Sequence, residues 1–484
     1  MNDHQGLEKD NKKSRRPSFT TQLMVQGTFP PSVNFQPPTI NALISFEGSQ
    51  ENCPTEGDLV PVVEQLCRHH PRLSGIPTSG YSSRFSNFHF EPCDINSIDP
   101  KDMIRTVELD CDSLNDVIAT VDEEVNVCLR HEERNLPWWE FVILSNKGKA
   151  ESIVIFRADH AIGDGFSLGK VCTSILTNSD GSPVKDFVPE GMKSNKDSVL
   201  RQSKLVLAWK LLCGIGKTII LPLLWRDHKT AYGKNTLGQL PDSGNRKAFI
   251  FDPIPLPFLK EIKNAAECSL NDVLVAALSQ AMNDYCTRRD CPMLKKHGDK
   301  IRCKAMLLVG FPSGELHNGW CPVPLDLGVG MKGPRDRIAH THRTTCDLKS
   351  GLYPYCTMAL QNIIMPILPS FLTRLIIHEC FGKFHISFSN VPGPAAEVKL
   401  AGKKVSCCRV YVRHITSNFL ALSYNNKVNI VLTADDEAIS HVHLMPTLYM
   451  KGLVKIASEF GVAVPEDVQA AADKEDNVTN ADQN

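Results

Sequence analysis

The sequence predicts a mixed α/β chain organised as two domains, on three observations. Its 484 residues exceed one ordinary domain and suit two. Apolar residues make up 42% and charged residues 22%, a composition with ample core. Between polar ends, short apolar runs alternate with stretches of helical periodicity, and no internal repeat is visible.

In chain order, residues 1–38 are polar and Pro-rich and read as a disordered tail. Residues 39–178 read as the N-terminal domain. Within it Val142–Leu144 and Ser152–Arg157 are strands, and Leu168–Leu176 has the three- and four-residue apolar spacing of a helix. Residues 179–248 start and end in Gly, Pro, Asn, Ser and Asp, which is linker chemistry. In their middle lies Leu205–Trp225, an apolar run interrupted by Lys210 and Lys217. From Arg201 to Lys234 seven Lys/Arg stand against one acid, Asp227, a net of +6. Such a basic, apolar helix suits a membrane interface, and equally a surface helix crossing between two domains. Residues 249–464 read as the C-terminal domain, with Leu270–Met282 as a helix. The stretch Ser350–Thr373 has no charged residue. Its three prolines, with Gln361 and Asn362, favour a buried helix pair over a membrane span. Residues 465–484 are acidic and polar and read as a second disordered tail.

The formal net charge of -1 gives no global sign of a nucleic-acid partner. The 17 cysteines are odd in number, scattered and mostly inside apolar runs, the pattern of reduced thiols rather than a disulfide framework. Five Lys/Arg lie in the first twenty residues with no apolar segment after them, so the cytosol is the expected compartment. The glycosylation sequon at Asn477-Val478-Thr479 is then expected to be chance.

The most informative segment is Ser152–Thr177. An apolar strand ends at Arg157, the turn Asp159-His160-Ala161-Ile162-Gly163-Asp164-Gly165 follows, and then an amphipathic helix. An imidazole on a turn at a strand end is where catalytic groups commonly sit. Its ordinary pKa of about 6.5 suits taking a proton from a hydroxyl at neutral pH. Taken alone, His160 after a strand is as well a structural histidine, and Asp164-Gly165 a turn that caps the next helix.

This HxxxDG segment resembles the HHxxxDG motif of the bifunctional wax ester synthase/diacylglycerol acyltransferase family, a branch of the chloramphenicol-acetyltransferase-like, CoA-dependent acyltransferases. Three further segments match in order: Leu136-Pro137-Trp138-Trp139-Glu140, Ser269-Leu270-Asn271-Asp272-Val273, and Ser389-Asn390-Val391-Pro392-Gly393-Pro394. Ser423-Tyr424 and Asp435 fit the family's C-terminal strand region, and the similarity spans roughly residues 59–460. The resemblance implies two similar α/β domains, each a mixed sheet flanked by helices, with an active-site tunnel between them. It implies His160 as general base, with Asp159, Asp164, Gly165, Asn271, Asp272, Ser389 and Asn390 supporting the site. It also implies acyl-CoA as co-substrate, a long-chain alcohol or diacylglycerol as acceptor, and no cofactor or metal. The family's first His is Asp159 here, which either raises the basicity of His160 or alters the preference for the alcohol. Ser269 to Asp272 also reads as a capping box. The resulting expectation is a cytoplasmic O-acyltransferase, peripheral to endoplasmic-reticulum membrane or lipid droplets, with Ser350–Thr373 as a candidate pocket lining.

Four alternatives accompany this reading. Gly165-Phe166-Ser167-Leu168-Gly169 fits the GxSxG of a serine esterase or lipase, but Ser167 falls inside the helical pattern instead of between strand and helix. Gly214-Ile215-Gly216-Lys217-Thr218 lacks the first glycine of a P-loop. The His340/His342 and His441/His443 pairs lack partners at zinc spacing. A catalytically silent lipid-binding protein, with Asp159 as a sign of decay, is set against the joint presence of His160, Asp164 and Asn271.

Overall fold

A computed structural model describes residues 18–26, 37–48, 50–77, 89–92, 98–130, 136–184, 203–223, 227–232, 243–311, 316–414 and 416–474. Two mixed sheets organise them. The first has five strands in the order β15-β1-β6-β5-β4, formed by β1 (Thr39–Phe46), β4 (Ile104–Leu109), β5 (Trp139–Asn146), β6 (Ser152–Asp159) and β15 (Cys407–Arg413). Only β4 and β5 run parallel in it. Two-residue alternation splits its side chains between two cores. Ile40, Ile44, Phe141, Ile143, Val154 and Phe156 pack beneath α2 (Glu56–His69) and α4 (Gly165–Ser174). Leu43, Val142, Leu144, Ile153 and Ile155 face α3 (Leu114–Asn126), whose Val117, Val121 and Val125 close the other side. A two-stranded ribbon of β2 (Gly75–Pro77) and β3 (Phe90–Pro92) lies apart from it.

The second sheet has seven strands, ordered β11-β10-β12-β16-β17-β8, with β9 also on β17. They are β8 (Lys247–Ile250), β9 (Ile254–Pro255), β10 (Lys304–Gly310), β11 (Trp320–Asp326), β12 (Ile386–Pro392), β16 (Ser417–Tyr424) and β17 (Lys427–Ala434). The helix α7 (Leu270–Arg288) lies in its core, with every residue from Asp272 to Met282 buried. Leu270–Met282, expected to be helical from apolar residues three and four apart, is the first part of this helix, which runs on to Arg288. Around it pack α6 (Leu256–Ala265), α9 (Pro334–Ser350) and α12 (Met445–Glu459), with the short α8 (Pro292–His297) beyond the end of α7. The fold is therefore the expected one: two α/β units, each a mixed sheet flanked by helices.

The two units exchange strands. β15, from the C-terminal half, forms an edge of the first sheet by pairing with β1, then leads directly into β16 of the second. A small sheet of β7 (Leu176–Asn178), β13 (Val398–Leu400) and β14 (Lys403–Lys404) joins the halves again. A cut between residues 178 and 249 therefore does not separate the units. The expected linker end at 248 also falls inside β8, whose Ala248 N–H donates to Asp122 of α3.

Both expected tails are partly structured. In 1–38, α1 (Phe19–Gln26) carries no capping charges and is held by tertiary contact: Thr20, Thr21 and Met24 are buried. In 465–484, α13 (Glu466–Asp473) starts after Pro465 and buries Val468, Ala471 and Ala472 in the second core. Eight-residue helices are too short to stand alone, so composition could not reveal them. The sequon at 477–479 lies outside the described residues.

The basic apolar run forms α5 (Lys204–Leu223). It packs on α10 (Tyr353–Ile363) and touches α11 (Ser370–Phe381). A Cβ at Gly214 would sit 2.7 Å from Cys356 Sγ, so this glycine permits the close crossing. The Gly214–Thr218 decoy is helical here. The expected buried helix pair at Ser350–Thr373 is a helix pair, but not a buried one: Ile363, Ile364, Ile367 and Phe371 are exposed, as are Leu205, Trp209 and Leu212 of α5. Among the described residues no helix is long and apolar enough to cross a membrane.

Candidate active site

The first sheet delivers His160 one residue past the end of β6. Its backbone N–H donates to Pro38 O (2.9 Å) and that of Asp159 to Trp138 O (2.9 Å), so the turn is pinned before any side chain acts. The ring is buried and lines a cavity of about 280 Å³ between the two sheets. Its Nδ1 lies 3.0 Å from Asn318 Oδ1. The orientation of that amide is set by its other edge: Asn318 Nδ2 donates to His160 O (2.7 Å), Thr21 Oγ1 (3.1 Å) and Ala161 O (3.3 Å). Carbonyl oxygens only accept, so the NH₂ must face them and Oδ1 must face the ring. Oδ1 also only accepts, so Nδ1 carries the proton and Nε2 keeps its lone pair. Trp320 lies with its ring centroid 6.0 Å from that of His160. Behind it His414 is fully enclosed, its pKa pushed down to about 3 by burial and, secondarily, by His160. A neutral His414 adds no fixed charge beside the site.

Asp159 does not face His160's ring nitrogens in any hydrogen bond described. Its carboxylate takes two bonds from Arg130, at 2.7 and 3.0 Å, and one from Ala161 N–H at 2.8 Å. Arg130 also donates to Met24 O and Val25 O and stacks on Trp138 at 4.3 Å. The replacement of the family's first His is thus matched by a cation.

Asp164 works as a staple. One oxygen accepts Ser167 N–H (2.8 Å) and caps α4; the other accepts Gly319 N–H (2.9 Å) from the opposite half. The cap starts α4 at Gly165, three residues before the expected Leu168, and Leu176 already belongs to β7. Ser167 is buried in the first turn, with Oγ donating to His317 O (3.0 Å) or Asp164 O (3.2 Å). It does not sit on a strand-to-helix elbow.

In the C-terminal half, β12 carries Ser389 and Asn390 onto the cavity wall, followed by Val391–Pro394. A Cβ at Gly393 would lie 2.4 Å from Ser423 O, so the Pro-Gly-Pro turn needs its glycine. Asn390 Nδ2 donates to Asn271 Oδ1 (2.7 Å), which places Asn271 behind the wall. Asp272 is wholly enclosed. It accepts from Ser269 N–H (2.8 Å), Thr345 Oγ1 (2.6 Å) and His342 Nδ1 (2.8 Å), and it completes a capping box with Ser269. The structure therefore gathers His160, Asp164, Gly165, Ser389 and Asn390 at one cavity, and leaves Asp159, Asn271 and Asp272 in supporting bonds. No residue of Ser350–Thr373 lines it, contrary to expectation, because that pair covers α5 instead. Sequence reasoning missed Asn318, Trp320 and Arg130. Asn318 lies 158 positions from its partner, and no local pattern joins them. Among the described residues no group of three or more His, Cys, Asp or Glu is placed to hold a metal ion.

The wall is mostly apolar. On α4, Gly165 and Gly169 are one turn apart on the cavity side, and a Cβ at either meets nothing within 4 Å. Glycine inside a helix is destabilising by about 0.5–1 kcal/mol relative to alanine. Gly169→Ala is therefore expected to raise thermal stability, whereas Gly169→Leu is expected to shrink the cavity. A melting temperature no higher than wild type in Gly169→Ala would contradict the first expectation.

Two-sheet architecture with a histidine turn at the junction defines the class: a chloramphenicol-acetyltransferase-like fold of two α/β units. The comparisons narrow it. Residues 318–456 match the WS/DGAT C-terminal domain. A curated relative from Arabidopsis thaliana, wax ester synthase/diacylglycerol acyltransferase 2, is 23% identical over 83% of this chain and 89% of its own length. Number 10 of the same series is 21% identical over 84% and 92%. Among solved structures, the wax ester synthase/diacylglycerol acyltransferase from Marinobacter aquaeolei VT8 superposes with a TM-score of 0.58 at 17% identity, covering 92% of this chain and 99% of that one. The epimerization domain of tyrocidine synthetase B superposes with a TM-score of 0.51 at 12% identity, covering 92% and 96%. Along most of its length the chain is thus similar to wax ester synthase/diacylglycerol acyltransferases, and residues 318–456 carry the match to their C-terminal domain.

Proposed function

We propose that this protein transfers a long-chain acyl group from acyl-CoA to the hydroxyl of a fatty alcohol or a diacylglycerol. The observation that carries the reading is the committed tautomer of His160: Nδ1 is held by Asn318, so Nε2 is the basic nitrogen of a ring on the cavity wall. In the reaction Nε2 takes the acceptor's hydroxyl proton as that oxygen attacks the thioester carbonyl. The new C–O bond forms, the C–S bond breaks, and the imidazolium returns its proton to the CoA thiolate. No covalent enzyme intermediate and no metal takes part. Asn318 steadies the charged ring, as the orienting partner of a catalytic histidine does. Ser389 and Asn390 supply polar groups in an otherwise apolar wall, the composition that holds one reactive centre within a hydrophobic substrate. Against the serine-hydrolase alternative, Ser167 Oγ is committed to backbone carbonyls in the first turn of α4. The test is purified protein with radiolabelled long-chain acyl-CoA and a panel of alcohols and diacylglycerols. Labelled esters are expected; free fatty acid as the sole labelled product would contradict the reading.

The same proposal places the protein in the cytoplasm, peripheral to the endoplasmic-reticulum membrane or to lipid droplets. Supporting it, α5, α10 and α11 leave large apolar side chains exposed, among them Trp209, Leu212, Ile363 and Phe371, and α5 also carries Lys210 and Lys217. Neither α5 nor α10 contains an acidic residue. An apolar face with cationic neighbours fits an anionic lipid surface. Binding to anionic vesicles is expected at low salt and is expected to weaken as salt rises. Absence of the protein from sedimented vesicles at low salt would leave α5 as a crossover helix.

A further inference from the structure

The N-terminal helix α1 lies outside both sheets, yet both of its ends reach the groups that flank His160. Its sequence, FTTQLMVQ, is poorly suited to a free-standing helix, being eight residues long with two threonines and a valine. Thr20 and Thr21 are nonetheless buried. Ser18 starts the helix, its Oγ accepting Thr21 N–H at 3.3 Å. At that end Ser18 Oγ lies 2.8 Å from Asn318 O and 3.1 Å from Thr21 Oγ1. Thr21 Oγ1 in turn lies 3.1 Å from Asn318 Nδ2 and 3.0 Å from Arg72 Nη2. Amide and guanidinium nitrogens only donate, so Thr21 accepts both and gives its own proton to Ser18. Ser18 then gives its proton to Asn318 O, which only accepts. The result is a closed ring of directed hydrogen bonds, from Asn318 to Thr21 to Ser18 and back to Asn318.

The other end is held in a matching way. Met24 O and Val25 O, carbonyls of the last turn, accept from Arg130 at 2.8 and 2.9 Å. The same guanidinium grips Asp159, the residue before His160. A cation at a helix C-terminus also complements the macrodipole. Ser18 to Val25 spans about 10 Å of helix axis. One short helix therefore bridges from the partner of the His160 ring to the partner of its chain neighbour. Between these ends Met24 packs with Ala161 and Trp320. No described residue of α1 lines the cavity, so its effect on the reaction passes through the residues it touches.

We propose that α1 is a strap whose Ser18 and Thr21 are positioning residues for the reaction. They clasp Asn318 at both its backbone carbonyl and its side-chain amide, and so hold Oδ1 where it orients the His160 ring. Two of the acceptors around Asn318 Nδ2, His160 O and Ala161 O, belong to the turn that carries the ring and move with it. Thr21 Oγ1 is the third acceptor described and belongs to a different element. It fixes the amide against something other than the histidine turn itself. Without it, amide and imidazole keep each other but are less firmly placed against the cavity wall. Small misplacements of a catalytic group are costly in rate, since the reacting atoms must meet in a narrow geometry. The link to ester formation rests on the proposed function, but the hold of the clasp on the ring does not.

The test uses the full chain and a contrasting pair of substitutions. Thr21→Val keeps the shape of the side chain and loses the oxygen; Thr21→Ser keeps the oxygen and loses a methyl group. Thr21→Ser is expected to melt lower than wild type with kcat close to normal. Thr21→Val and Ser18→Ala are expected to lower kcat about two- to tenfold, the worth of one hydrogen bond, with the KM for acyl-CoA unchanged. A second readout needs no turnover. In protein with isotope-labelled histidine, the His160 Nδ1 proton is identified in the magnetic resonance spectrum by its loss in His160→Ala. It is expected to exchange with water faster in Thr21→Val than in wild type or Thr21→Ser. Wild-type kcat in a folded Thr21→Val protein, or a kcat that follows melting temperature through both substitutions, overturns the proposal. Equal exchange of the Nδ1 proton in wild type and Thr21→Val does the same. If wild type forms no ester the transferase reading fails, and the proton exchange alone decides the strap.

Discussion

Replacing His160 by alanine is expected to lower the rate of ester formation by about two to four orders of magnitude, the usual worth of a general base. The expectation follows from position. His160 lines the cavity, and its neighbour His414 is held neutral by burial and bonded at Nδ1 to Thr416, so it is no ready substitute. Asn318→Leu is expected to give a smaller loss, mainly in kcat, because it frees the ring to take the other tautomer without removing it. Ser167→Ala is expected to keep nearly normal rates. It removes one hydroxyl donor to buried carbonyls, a net cost of about 1 kcal/mol in stability. Wild type is expected to resist a serine-directed phosphonate. Circular dichroism establishes that each variant is folded. A folded Ser167→Ala protein without activity, together with phosphonate labelling of wild type, would reverse the assignment of base and nucleophile.

Asp159→Ala is expected to be the most destabilising single change at the site. Asp159 is 1% exposed in its side chain and Arg130 16%. Removing one partner of a buried pair leaves an uncompensated charge, typically worth about 3–5 kcal/mol. Asp159→His, which restores the motif of the resembled family, places a second base beside Arg130. It is expected to destabilise as well, and to be relieved when Arg130 is also replaced. A double-mutant cycle on melting temperature measures that coupling. Because Arg130 engages the carboxylate, Asp159→Asn is expected to lower stability far more than kcat. A stable Asp159→Asn protein with kcat reduced a hundredfold would mean that Asp159 tunes His160 directly.

The elements that were legible in the sequence are those with local periodicity. Strands β5 and β6 are short apolar runs buried on both faces, and α7 carries apolar residues three and four apart, so both were legible locally. The turn at His160 to Gly165 was legible because its parts are contiguous. The capping role of Asp164 was legible because cap and helix adjoin, although its second bond, to Gly319, was not. What was lost is non-local. Thr39 of β1 pairs with Arg413 of β15 across most of the chain, and His160 meets Asn318 across 158 residues. Ser350–Thr373 misled for a different reason. An uncharged helix pair reads as core, and only the packing on α5 reveals that Ile363 and Phe371 face outward. Helices α1 and α13 were missed because eight residues of modest polarity become helical through the surfaces they cover.

The central claim is direct transfer, in which His160 activates the acceptor and the thioester breaks only under its attack. The most direct measurement follows free CoA thiol released from long-chain acyl-CoA by the protein, with and without a hydrophobic alcohol, in the native chain and in the same chain carrying His160→Ala. The account predicts release that depends on the alcohol, matches ester formed mole for mole, and is lost with His160. Release at the same rate without acceptor, or a full acceptor-dependent rate in the absence of His160, would contradict it.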